Sequence, residues 1–170
     1  MKYFIFQGND HDCGFAALKI LLANFSKDKS YLYIKKKDKK EQFSIKNLQD
    51  VAANYGFQLG AYKCDDDYCN SLVVPSITII NKNHAVVIKK VTKKRIVYLD
   101  PELGLVKLKK DEFFAIWEKY VLEIEAKIED VKLPKIRREI LPNKLKITEL
   151  ISAFLSTGIL VATFYLLNNE

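Results

Sequence analysis

Four side chains in this sequence have the types and spacing that nucleophilic catalysis needs: Gln7, Cys13, His84 and Asp100. Cys13 stands where a helix is expected to begin. A thiolate there feels the positive end of the helix dipole and nearby free N–H groups, both of which lower its pKa. Gly14 beside it leaves room for a substrate backbone to approach. A lone cysteine is more often a small buried hydrophobe, so the thiol needs company to signify. The chain offers only two histidines. His11, two residues before Cys13, reads as solvent-exposed. His84 opens an expected strand, and Asp100 closes another of the same meander. An imidazole with a carboxylate on a neighbouring strand is the pairing that fixes the ring tautomer and stabilises the imidazolium. Singly, His84 could be an idle strand-edge residue and Asp100 a turn-former before Pro101. With Cys13 they make a nucleophile, a base and an orienting group. Gln7, six residues before Cys13, could join the Cys13 backbone N–H in an oxyanion hole, although in isolation it is an ordinary polar loop residue.

These residues need elements to hold them. Residues 13–25 read as a helix, with Phe15, Leu18, Leu22 and Phe25 at helical spacing and Asp12 at the N-cap. Residues 44–55 read as a second helix, with Ile45, Leu48, Val51, Ala52 and Tyr55 on one face and Gly56 as the stop. From Pro75 onward the pattern turns to strands: Ser76–Ile80, His84–Val91 and residues 95–99. Asn81-Lys82-Asn83 and Thr92-Lys93-Lys94 separate them as turns. Asp100-Pro101-Glu102-Leu103-Gly104 is a further turn. A strand over 105–108, a short helix over 111–117 and a last strand over 121–126 complete an α+β domain.

The length of 170 residues suits one domain with a real core, and 49% hydrophobic with 29% charged residues is a globular composition. The formal charge of +7 is unevenly spread. Residues 127–146 hold seven Lys/Arg against three Asp/Glu, so more than half the excess sits beside an apolar stretch. That is juxtamembrane placement rather than a nucleic-acid groove. The apolar stretch, residues 150–167, is eighteen residues without a charge, long enough to cross a bilayer. Domain boundaries are therefore expected at 1–126 for the catalytic domain, 127–146 for a basic linker and 147–167 for a transmembrane helix. Lysines before the span put the N-terminal domain on the cytoplasmic side of a cell membrane. Three cysteines and no secretory signal in Met1-Lys2-Tyr3-Phe4 point to a reducing compartment for most of the chain.

The stretch Gln7-Gly8-Asn9-Asp10-His11-Asp12-Cys13-Gly14-Phe15-Ala16-Ala17-Leu18 resembles the Q-x5-C-G-x-A-x-L motif of bacteriocin-processing cysteine peptidases, the N-terminal domains of peptidase-containing ABC exporters. Asn83-His84-Ala85-Val86-Val87 is similar to their histidine strand, and Tyr98-Leu99-Asp100-Pro101 with Gly104 to their aspartate turn. Residues 44–57 are similar to their second-helix segment, and Asp111-Glu112-Phe113 through Trp117 to the closing part. The resemblance covers residues 3–126. It implies a papain-like fold, N-terminal helices packed on an antiparallel sheet. It also implies cleavage after a Gly-Gly pair ending a leader peptide, with Cys13 as nucleophile, His84 as general acid/base, Asp100 orienting His84 and Gln7 in the oxyanion hole. No cofactor is implied. The partners implied are a leader peptide, docked as an amphipathic helix in an apolar groove away from the cysteine, the membrane, and an ABC transporter core in the same chain or separate. No G-x4-G-K-S/T occurs, so these 170 residues hold no ATP site.

Other readings rank lower. A leader-binding module without catalysis usually lacks the cysteine or histidine. Cys64 and Cys69, spaced C-x4-C, match no thioredoxin motif and lack histidines to complete a zinc site, so no metal is expected. For nucleic acid, Tyr31-Leu32-Tyr33 beside the lysines of 35–40 is the only aromatic-basic candidate; no nucleic-acid partner is expected.

Overall fold

The computed structural model describes residues 1–8, 12–35, 44–129, 134 and 136. They belong to one compact unit, Met1–Arg137. Helix α1 (Cys13–Ser26) and a 3-10 turn (Lys29–Tyr33) precede α2 (Ile45–Asn54). Six strands follow: β1 (Phe57–Lys63), β2 (Ser76–Ile80), β3 (His84–Val91), β4 (Arg95–Asp100), β5 (Gly104–Lys109) and β6 (Trp117–Lys127), with α3 (Lys110–Phe114) between the last two. They form one sheet in the order β1-β6-β2-β3-β4-β5, and neighbours are antiparallel.

Strand alternation divides the core in two. Ile77, Ala85, Val87, Leu99 and Leu122 pack with Leu18, Leu21 and Leu22 of α1 and with Leu48 and Ala52 of α2. Their alternating partners Val86, Ile88, Tyr98 and Val121 pack on the other face with Cys69, Phe113 and Trp117. The Trp117 indole donates to Thr78 Oγ1 at 2.6 Å, and that hydroxyl donates to the Tyr120 carbonyl at 2.7 Å. This buried relay ties β6 to β2 without leaving a polar atom stranded.

Caps set the helix ends. Ser44 Oγ accepts from the Asn47 N–H at 3.2 Å, and Gly56 follows α2 at φ 79°, a left-handed turn that favours glycine. Asn24 of α1 clamps the N-terminal segment, donating to the Tyr3 carbonyl at 2.7 Å and accepting from the N–H groups of Lys2 and Tyr3. That clamp lays residues 1–8 along the helix and delivers Gln7 to the end where α1 starts.

Strands β2 and β3 occupy the expected residues. Other elements depart from the expectation. Strand β1 was not foreseen. Strand β6 starts at Trp117 rather than 121, and α3 stops at Phe114 rather than 117. Phe25, placed on the core face of α1, is 38% exposed and meets Phe57 edge-on at 6.0 Å. Tyr31 is buried, between Tyr55 and Phe57, so that ring is not available to stack a base. The expected span over 147–167, His11 and residues 36–40 lie outside the described residues, as do all but Lys127, Ile128, Glu129, Pro134 and Ile136 of the linker. Among the described residues no helix is long and apolar enough to cross a membrane.

Candidate active site

Cys13 is the first residue of α1. Asp12 takes the N-cap position, and its carbonyl accepts from Ala16 N–H at 2.9 Å, but its side chain makes no capping bond. Of this first turn, the Gly14 N–H bonds the thiol. The half-buried Cys13 Sγ lies 3.8 Å from the Asn83 carbonyl oxygen, a contact that brings the helix start to the β2–β3 turn.

His84 is the next residue, the first of β3. Register explains why it meets Asp100. Val87 pairs with Leu99, so one step along the ladder sets Asp100 opposite Val86, within two residues of His84 at the same end of the sheet. His84 Nε2 and Asp100 Oδ1 are 2.9 Å apart, with side-chain exposures of 19% and 3%. Asp100 Oδ1 also accepts from the N–H groups of Glu102 at 2.8 Å and Leu103 at 3.3 Å. The carboxylate is therefore locked in its own turn, and its demand for a donor puts the proton on Nε2. Nδ1 remains for the cysteine.

The electrostatics fit a thiolate–imidazolium pair. Burial pushes the Cys13 thiol up, but the His84 ring and the backbone N–H groups of Ala85 and Gly14 together hold it below its ordinary value. The hydrogen bond with Cys13 is the largest influence on His84. Burial opposes it, Asp100 reinforces it, and the ring is pushed up to about 9. Because the two groups perturb each other, their protons leave in steps that belong to the pair.

Gln7 reaches the same end of the sheet through its backbone, whose N–H donates to the Pro101 carbonyl at 2.8 Å. Its side-chain oxygen is buried with no hydrogen-bond partner among the described residues. Cys64 and Cys69 are free thiols, Cys69 in the second core cluster and Cys64 packed against it. Their thiols are pushed up, chiefly by burial, the reverse of Cys13.

Sequence reasoning missed the supports of the histidine turn. Asn81 N–H donates to the Ile116 carbonyl at 2.9 Å, and Lys82 N–H to Glu118 Oε1 at 2.7 Å. These bonds run through backbone groups and carry no residue signature beyond the turn-forming asparagines.

Residues 1–129 match the family model described as the Peptidase C39 family. The chain is 25% identical over 147 residues to the lacticin-481/lactococcin-DR transport/processing ATP-binding protein of Lactococcus lactis subsp. lactis, covering 82% of this chain and 21% of that one. It thus spans about a fifth of the length of that relative. A crystal structure of a double glycine motif protease from an AMS/PCAT transporter, in complex with the leader peptide, is similar at TM-score 0.61 and 26% identity, over 70% of this chain and 87% of that one. The peptidase domain of Streptococcus ComA, a bi-functional ABC transporter involved in a quorum-sensing pathway, shares the fold at TM-score 0.61 and 19% identity, over 71% of this chain and 95% of that one. The matched residues contain the thiol, the imidazole and the carboxylate just described, and the chain belongs to the Peptidase C39 family, a family of cysteine peptidases.

Proposed function

We propose that this cysteine peptidase removes a leader peptide after a Gly-Gly pair, working with an ABC transporter that exports the product. The observation that carries the reading is the line of three groups: Cys13 at a helix start, His84 against it, and Asp100 at 2.9 Å from His84 Nε2. In this reading the Cys13 thiolate attacks the carbonyl carbon of the second glycine, and the new oxyanion takes its place beside the Cys13 backbone N–H and the Gln7 amide. The imidazolium gives its proton to the departing amine. The neutral ring then takes a proton from water, which attacks the thioester and frees the leader. Asp100 keeps the ring in the tautomer these transfers need.

The same proposal assigns residues 1–126 to the peptidase domain, 127–146 to a basic linker and 147–167 to a membrane span that keeps the peptidase on the cytoplasmic side. Support comes from the uncharged run over 150–167 and the basic residues before it. The transport/processing role named for the Lactococcus relative supports the link to export.

The test is cleavage of peptides bearing a helical leader that ends in Gly-Gly, by wild type and by Cys13→Ala. Cleavage after the second glycine by wild type alone is expected. Binding of the leader without cleavage by the wild type would replace the peptidase reading with that of a leader-binding module.

A further inference from the structure

The histidine turn puts two residues in the left-handed region, and one of them, Lys82, resists it. Ile80 pairs with His84, so residues 81–83 form a three-residue hairpin loop. Asn81 has φ 49° and Lys82 φ 74°, both left-handed. Asparagine tolerates that region; lysine gains nothing there and pays a steric cost. Such a conformation persists only when surroundings impose it.

What imposes it lies on the segment entering β6. Asn81 N–H is bound by the Ile116 carbonyl at 2.9 Å, and Lys82 N–H by Glu118 Oε1 at 2.7 Å. A carboxylate accepting from a backbone N–H makes a charge-assisted bond, stronger than a neutral one. Glu118 is itself well anchored. The residue before it, Trp117, pairs with Ile80 and donates to Thr78. The residue after it, Lys119, takes φ 61°, accepts from Cys64 N–H at 2.7 Å, and pairs with Asp66 at 3.2 Å. The grip of Glu118 on the turn is thus fixed relative to the sheet.

The turn's last residue, Asn83, presents its carbonyl to the Cys13 sulfur, and the next residue is His84. We infer that Glu118 is a positioning residue for the reaction: by holding Lys82 in the left-handed region it sets the Asn83 carbonyl and the His84 ring against the Cys13 thiol. The inference rests on the peptidase reading for its role in turnover, while its geometric content can be tested without substrate.

The experiment uses the full chain with Glu118→Ala, Glu118→Gln and Glu118→Asp. Iodoacetamide alkylation of Cys13 is followed against pH, resolved from Cys64 and Cys69 by peptide mass spectrometry. Cleavage of a Gly-Gly leader peptide gives kcat and KM, and a melting curve reports folding. In Glu118→Ala the midpoint of Cys13 alkylation moves up towards that of an ordinary thiol. There kcat falls by about 10- to 100-fold, the scale of a misplaced catalytic group, with KM held. Glu118→Gln keeps an acceptor oxygen at the same reach and restores most of both. Glu118→Asp keeps the charge but withdraws the oxygen by one methylene and stays impaired; it carries the test should the alanine variant not fold. Adding Lys82→Gly to Glu118→Ala supplies a residue at home at positive φ and recovers part of the loss. An unchanged alkylation profile in folded Glu118→Ala or Glu118→Asp, or a Gln variant as poor as the alanine one, would overturn the inference. If no leader peptide is cut even by wild type, the peptidase reading falls, and the alkylation profile still decides whether Glu118 positions the pair.

Discussion

The pair Cys13–His84 has a defined window of ionisation. The thiolate forms once pH passes the lowered Cys13 value, and the imidazolium is lost as pH rises through about 9. Activity should rise over the first step and fall over the second, a bell whose limbs belong to the coupled pair. Asp100→Asn removes a charge that raises His84 and unsettles its tautomer. The alkaline limb is expected to move to lower pH, and kcat to drop by about 10²- to 10⁴-fold. A kcat–pH profile checks this, and an unmoved alkaline limb would refute the role given to Asp100. Gln7→Ala, by contrast, should leave both limbs in place and lower kcat by about 10²- to 10³-fold at constant KM, as loss of one oxyanion donor does. A rise in KM alone would make Gln7 a binding residue instead. The residues chosen from sequence were legible because their chemistry is scarce: one helix-start thiol and two histidines in the chain. Glu118 and the Asn83 carbonyl were not. Each acts on or through a peptide group, and the chain has 21 Asp and Glu among which nothing local marks Glu118.

Elements were legible where one signal sufficed. Strands β2 and β3 combine dense β-branched residues with a bounding turn, and their ends fall where the sequence indicates. Strand β1 reads poorly because Gln58, Ala61, Tyr62 and Lys63 are exposed and Gly60 interrupts it. It is a strand because β6 lies beside it, with Leu59 to Lys63 pairing Ile124 to Tyr120, a long-range fact that overrides local propensity. A Cβ at Gly60 would meet only the side-chain ends of the exposed Glu125 and Tyr62. The start of β6 was missed for a related reason. Glu118-Lys119-Tyr120 looks helical, whereas Lys119 at φ 61° is a kink that only the pairing with β2 makes sense of. The buried Thr78 hydroxyl joins these strands through two hydrogen bonds. Thr78→Val keeps the shape and strands the Trp117 N–H and the Tyr120 carbonyl. A loss of about 1–3 kcal/mol in urea unfolding is expected, and an unchanged midpoint would mean that neither bond matters.

At the scale of the molecule, the proposed anchoring has a direct readout. With residues 150–167 as a span, the full chain should stay in the membrane pellet through an alkaline carbonate wash. Release into the supernatant would remove the span from the proposal. One feature of the sheet bears on any such arrangement. Strands β3 and β6 run the same way, both antiparallel to β2, with Trp117 beside Ile80 and Ile80 beside His84. His84 therefore marks one end of the sheet, and Lys127 leaves from the other, roughly 30 Å away for a strand of this length. Strand β6 thus ends at the pole opposite His84. A peptidase immobilised on a bead or a biosensor surface through a handle after β6 should keep its cutting edge turned outward, able to process peptides from free solution.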